Sequence, residues 1–162
     1  MKTIYVFAVA MLAATAVSAR PAEQDQRQRD EEAVRKVDVL VSTATTVEAG
    51  LSTFDNSVIQ DDFFAPQRRG VAEVRKDFDV YMANYKNFKA EILDMKVDVD
   101  GNLAVAMSHQ HFTARGKNGT PDLDALIRQT DVLKKRSGKW LITYQHLSVP
   151  IDIKTGQAIF HP

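Results

Sequence analysis

Hydrophobic and polar positions follow two different periods along the chain, and the change from one to the other divides it. Val34, Val37, Val41 and Ala44 recur at helical spacing behind an acidic first turn, Asp30-Glu31-Glu32, which suits a helix N-terminus. The expected helix stops at Gly50, with one further turn over 51–54. Residues 58–62 read as a short strand, and 63–69, which hold Pro66, as a loop. A second helix is expected over 70–85, with Val71, Val74, Phe78, Tyr81, Met82 and Tyr85 as its buried stripe. Beyond it the period falls towards two. Strands over 89–99 and 103–113 flank Asp100-Gly101, a strong hairpin signal. Residues 115–122 are a loop by composition, and 126–150 hold two more strands joined at Ser137-Gly138. Helix, strand, helix and a four-strand meander predict an α+β fold, with helices packed on one face of a curved, mostly antiparallel sheet.

The chain has 162 residues, enough for one domain with a real core. Residues 1–19 are set apart from that domain. Lys2 precedes an apolar run over 4–17, and Val17-Ser18-Ala19 places small residues where a signal peptidase reads. The run is short for a membrane span, which needs about 20 residues. The expectation is a signal peptide cleaved near Ala19 and an exported protein, periplasmic or secreted, with no stable membrane anchor; the alternative is an uncleaved anchor. Residues 20–30 are almost wholly polar and read as a flexible leader, leaving 31–162 as a single domain.

Lys and Arg number 21, as do Asp and Glu. Removing Lys2 with the leader peptide leaves 20 basic against 21 acidic residues, a net charge of −1. That balance argues against a nucleic-acid partner. There is no cysteine, so the fold relies on its core alone.

The hairpin over 126–150 carries the most unusual side chains, Arg128-Gln129-Thr130 on one strand and His146-Leu147-Ser148 on the other. A three-residue loop Arg136-Ser137-Gly138 would set Lys135 opposite Lys139. Trp140 would then face Lys134, Ile142 Val132, Tyr144 Thr130, and His146 Arg128. Opposed residues share a face, so Arg128, Thr130, Tyr144, His146 and Ser148 would form one patch. A two-residue loop would shift the pairing by one and turn His146 to the other face from Arg128. His109 and His111 share a face of the preceding strand and either join that patch or point away from it.

These residues resemble those of the SnoaL-like and ketosteroid-isomerase-like proteins of the nuclear transport factor 2 superfamily. The resemblance runs over 31–159. It rests on Arg128-x-Thr130, Gly138-Lys139-Trp140 and His146-x-Ser148-x-Pro150-x-Asp152, with weaker support from Asp62, Pro66, Gly70 and Asp100-Gly101-Asn102-Leu103-Ala104. It implies a cone-shaped fold whose curved sheet encloses a pocket, and a homodimer formed through the sheet. It also implies that the first strand lies beside the last, bringing Asp62 near His146 and Ser148 with Arg128 one strand further on. The chain departs from the family at Gly50, where an acidic residue is usual, and the isomerases' triad of an Asp base with Tyr and protonated Asp donors has no full counterpart.

The resulting expectation is a domain that binds a small, partly apolar molecule and catalyses isomerase, cyclase or dehydratase chemistry by proton transfer. Asp62 and His146 are the candidate catalytic pair. Arg128 is the candidate anchor for an anionic group, with Thr130, Tyr144, Ser148, His109 and His111 as further substrate contacts. The competing readings are structural. Asp62 and His146 would satisfy each other, Arg128 would pair with Asp62 or Asp131, and the domain would be a ligand carrier or a dimeric interaction module. His109, His111 and His146 are expected to be kept apart by an intervening strand, which argues against a metal. Trp140 reads as a core or interface residue and Lys134-Lys135-Arg136 as a solvated turn. No Gly-rich phosphate loop, nucleophile elbow or zinc motif points to a cofactor.

Overall fold

The computed structural model describes residues 19–63 and 66–159. The expected signal stretch, Ala19 apart, lies outside the described residues. Three helices, α1 (Ala19–Thr43), α2 (Val47–Leu51) and α3 (Val71–Asn84), precede or interrupt six strands. These are β1 (Phe54–Asp61), β2 (Arg68–Arg69), β3 (Tyr85–Asp100), β4 (Leu103–Gly116), β5 (Leu123–Arg136) and β6 (Lys139–Ser148). They form one sheet in the order β2-β1-β6-β5-β4-β3, antiparallel throughout except where β1 runs parallel to β6. The α+β expectation holds, with the helices on one face, and the first long strand does lie beside the last.

Among the described residues helix α1 already includes Ala19, well before Asp30. The polar leader is held in helix by side-chain bonds one turn apart, Arg27 to Glu31 and Gln26 to Asp30, and Arg27 also reaches Asp98 on β3 at 2.9 Å. The same helix ends at Thr43, before Gly50, because the β-branched run disfavours continuation. Thr46 then caps α2 by accepting from the Ala49 amide at 3.2 Å. Gly50 belongs to α2 and lies against Phe78 of α3, where a Cβ would come within 2.3 Å of the ring. The expected further turn is present over 51–53, where the Thr53 amide donates to the Gly50 carbonyl at 3.2 Å, and β1 starts at Phe54.

The core sits between α1, α3 and one end of the sheet. Val34, Val58, Val74, Leu133 and Ile142 are fully buried there. Trp140 is buried too; its Nε1 donates to Asp30 Oδ1 at 3.0 Å and the Lys135 ammonium stands over its ring. The inner face changes character along β4 and β5. Ala104, Ala106 and Leu133 give way to Ser108, Gln110, Gln129 and Asp131, all buried. The polar end is where the pocket forms.

The closing hairpin differs from expectation in register. Its loop has two residues, Ser137 (φ 48°) and Gly138 (φ 80°), so Arg136 pairs with Lys139 and Trp140 faces Lys135, not Lys134. A bulge at Thr143 then adds one residue, so Tyr144 opposes Val132, His146 opposes Thr130, and Arg128 opposes Ser148. Relative to the expected pairing, β6 has moved by two residues beyond the bulge. The even shift keeps Arg128, Thr130, Tyr144, His146 and Ser148 on one face, but that face is the outer one.

Candidate functional site

A pocket of about 110 Å³ lies between the inner sheet face, the C-terminal half of α1 and α3. Its walls are apolar: Val41, Phe63, Phe78, Met82, Phe88, Phe112, Ile127 and Leu147. Cavities near 150 Å³ lined by such side chains take up benzene, so this space suits a molecule of roughly one ring. Beside Gln60, the β1 and α3 side carries the polar groups of Asp62, Asp77 and Tyr81. Asp77 is engaged by Arg68 through two hydrogen bonds of 2.8 and 2.9 Å. Burial pushes the Tyr81 hydroxyl well above its ordinary pKa, and the negative charge of Asp62 pushes it further.

The floor of the pocket is built of carboxamides. Gln60, Gln145, Gln129 and Gln110 come from β1, β6, β5 and β4 and all line the cavity. Beneath them two carboxyl groups, Asp38 of α1 and Asp131 of β5, are fully buried and hydrogen-bonded to one another. Burial raises both above the ordinary carboxylate range. Asp131 rises the more, because the charge of Asp38 adds to its burial. Two carboxylates cannot both ionise in such a place, so the pair shares one proton. Amide nitrogens satisfy the remaining oxygens. Gln145 Nε2 donates to Asp131 at 3.0 Å, Gln129 Nε2 to Asp131 at 2.9 Å and to Asp38 at 3.1 Å, and Ser108 Oγ to Asp38 at 3.3 Å.

Of the residues singled out by sequence, Asp62 lines the pocket, one residue beyond the end of β1. The others do not join it. Arg128, His109 and His146 are exposed on the outer face, and Thr130, Tyr144 and Ser148 lie partly buried beside them. Arg128 pairs with neither Asp62 nor Asp131; Asp131 points through the opposite face. The partner of His146 on β1 is Asp61, not Asp62. Tyr144 donates its hydroxyl to Asp61 at 2.9 Å, and Gln67 holds the other oxygen at 3.0 Å. Those two bonds, Gln67 first, keep Asp61 below its usual pKa. His111, also outer, meets Asp124 at 2.7 Å. β5 separates His146 from the β4 histidines, and no group of three His, Asp or Glu is placed to hold a metal among the described residues.

Gln60, Gln129, Gln145, Asp38, Asp131 and Tyr81 were not expected at the site. Parity on β5 carried a signal for two of them. Ala125, Ile127 and Leu133 are apolar while Arg128 and Lys134 are charged, which already turns Gln129 and Asp131 inward.

Residues 52–152 match the model of the SnoaL-like domain. The chain belongs to the SnoaL-like domain family. Similar solved structures agree on the fold. A nuclear transport factor 2-like protein of unknown function from Pseudomonas putida superposes with a TM-score of 0.72 at 18% identity, covering 83% of this chain and 96% of that one. A nuclear transport factor 2-like superfamily protein from Salmonella enterica gives 0.68 at 19% identity, over 85% and 99%. A ketosteroid isomerase-like protein from Erwinia carotovora gives 0.64 at 16% identity, over 74% and 95%. At these identities the likeness is one of fold. Comparison with the curated proteins gives no match.

Proposed function

We propose that this SnoaL-like domain binds a neutral, partly apolar molecule of about one ring and moves a proton on it, with Asp62 as the base. The observation that carries this reading is that Asp62 shares an apolar pocket with Tyr81, which burial keeps protonated. A carboxylate facing hydrocarbon is poorly solvated and takes a proton next to a carbonyl readily, while a protonated phenol can donate to the oxygen that gains charge. Asp62 and Asp77 on the wall, with no Lys, Arg or His among the described lining residues, disfavour an anionic ligand.

The same absence of a cation among those residues favours a second reading. Neutral donors alone would have to stabilise an enolate, and a carrier needs no such group. Deuterium exchange separates the two. With cyclohexanone in deuterated buffer, followed by proton NMR, the enzyme reading expects the protein to speed loss of the α-protons and Asp62→Asn to slow it by about 10²–10⁴-fold. Saturable binding without faster exchange would establish the carrier.

The reading extends to export after cleavage near Ala19, supported by the character of residues 1–19, and to a homodimer through the outer sheet face, where Leu103 and Met107 are exposed. N-terminal sequencing of fractionated protein tests the first, and light scattering at several concentrations tests the second.

A further inference from the structure

Gln60 is 96% buried, its relative exposure being 4%, and it lines the pocket, yet its Oε1 accepts no hydrogen bond among the described residues. A carbonyl that is buried without a partner is destabilising, so its presence at a ligand-sized cavity calls for an explanation.

The neighbouring network supplies one. A carboxamide can be turned either way, and its orientation follows from its partners. Here the partners leave no choice. The Asp38–Asp131 pair offers acceptors on its pocket side, so Gln145 turns its nitrogen towards Asp131, at 3.0 Å. The Gln145 oxygen then faces β1 and takes the Gln60 nitrogen at 2.8 Å. With one of its two N–H groups given to Gln145, Gln60 presents an Oε1 that nothing among the described residues satisfies. Reversing Gln60 would set two amide oxygens against each other, and reversing both would set the Gln145 oxygen against Asp131.

We propose that Gln60 Oε1 is a specificity-determining acceptor, and that the ligand is a ring-sized neutral molecule carrying a hydroxyl or N–H group that donates to it. This deepens the proposed binding function and rests on it. The role falls to β1 because Gln60 and Gln145 are directly opposed across the parallel β1–β6 pair. Asp38 and Asp131 act through Gln145, as positioning residues that fix which end of the amide faces the ligand. The Asp62 carboxylate lining the same pocket is the charged rival for the ligand hydroxyl beside the engaged Asp77, so the test must separate it from Gln60.

Phenol and toluene have nearly the same size and differ in the donor. Affinities of the full-length protein for both, measured by ligand-observed NMR, give a phenol-to-toluene ratio. Gln60→Met is expected to lower that ratio about tenfold while leaving toluene binding in place. Gln145→Met, which frees the Gln60 amide to turn, is expected to lower it too and to raise affinity for benzaldehyde, which only accepts. In the wild type, phenol and not toluene should shift the side-chain amide resonances of Gln60, a measurement that needs no variant to fold. The inference is overturned if Gln60→Met keeps the ratio while Asp62→Asn abolishes it, or if toluene shifts the Gln60 amide as phenol does; the pocket reading survives either result. Failure of all three probes to bind would overturn both.

Discussion

Asp61 and Asp62 adjoin in the chain and serve opposite faces of the sheet. Asp61 takes the Tyr144 hydroxyl at 2.9 Å on the outer face, while Asp62 lines the pocket. Substitutions at the two should therefore separate cleanly. Asp61→Asn, Arg128→Ala and His146→Ala are expected to leave the affinity for phenol unchanged, and Asp62→Asn to remove proton transfer. Asp61→Asn should also lower the pKa of Tyr144, which the Asp61 hydrogen bond and partial burial raise. Ultraviolet titration of tyrosinate, compared with Tyr144→Phe to assign the signal, checks this.

The buried Asp38–Asp131 pair gives stability a pH dependence of definite sign. Asp131 binds its proton far more tightly folded than unfolded. Above the unfolded value of about 3.9, the folded state holds a proton that the unfolded state has lost, so stability falls as pH rises towards the folded pKa. The slope is about 1.4 kcal/mol per pH unit for one proton. Burial raises Asp38 too, and its hydrogen bonds with Asp131, Gln129 and Ser108, with the Arg35 charge at longer range, limit the rise on its side of the pair. Urea unfolding of wild type at successive pH values above 4 should show the decline, and Asp131→Asn should flatten it.

Asp30 contributes in the other direction. Burial opposes its charge, but hydrogen bonds from Gln26, Lys135 and Trp140 and the Lys135 charge outweigh it and hold the carboxyl below its usual pKa. A depressed carboxylate stabilises above its unfolded value, 3.8, and loses that contribution as pH falls through the folded one. Asp30→Ala would strand the Trp140 indole N–H and should cost about 1–3 kcal/mol near neutral pH. Its unfolding curve should lose part of the acid sensitivity seen below pH 4 in wild type.

The β5–β6 loop places both central residues in the left-handed region. Gly138→Ala should destabilise by about 1 kcal/mol, since alanine is strained at φ 80°. Ser137→Asn should be neutral or stabilising by a few tenths of a kcal/mol, because asparagine tolerates that conformation better. Thermal unfolding of the two variants reads the difference directly.

Much of the fold was legible because periodicity reports burial. Val71, Val74 and Phe78 mark α3, and Asp100-Gly101 marks the β3–β4 turn, whose strands are nevertheless longer than the pattern indicates. Antiparallel pairing extends them over 85–88 and 114–116, past an irregularity between Lys86 and Lys89, and takes Tyr85 out of the expected helix stripe. The site was less legible. Histidine and arginine drew the eye as chemically unusual, whereas glutamine is ordinary on a surface and is informative only once it is known to be buried.

The sequence by itself determined the main order of elements and the helix faces, because these depend on neighbours a few residues apart. It did not determine which residues of β6 share a face with Gln129. Trp140 and Ile142 point inward by even number and Gln145 and Leu147 by odd, and the change occurs at the Thr143 bulge, where the Thr143 hydroxyl bonds the Val132 carbonyl at 3.1 Å. That extra residue turns Gln145 into the pocket and His146 out of it. Only the tertiary structure could decide this. The bulge is the shift that lets Trp140 reach Asp30 of α1 at one end of the strand and Gln145 reach Gln60 of β1 at the other, two contacts between segments far apart in the chain.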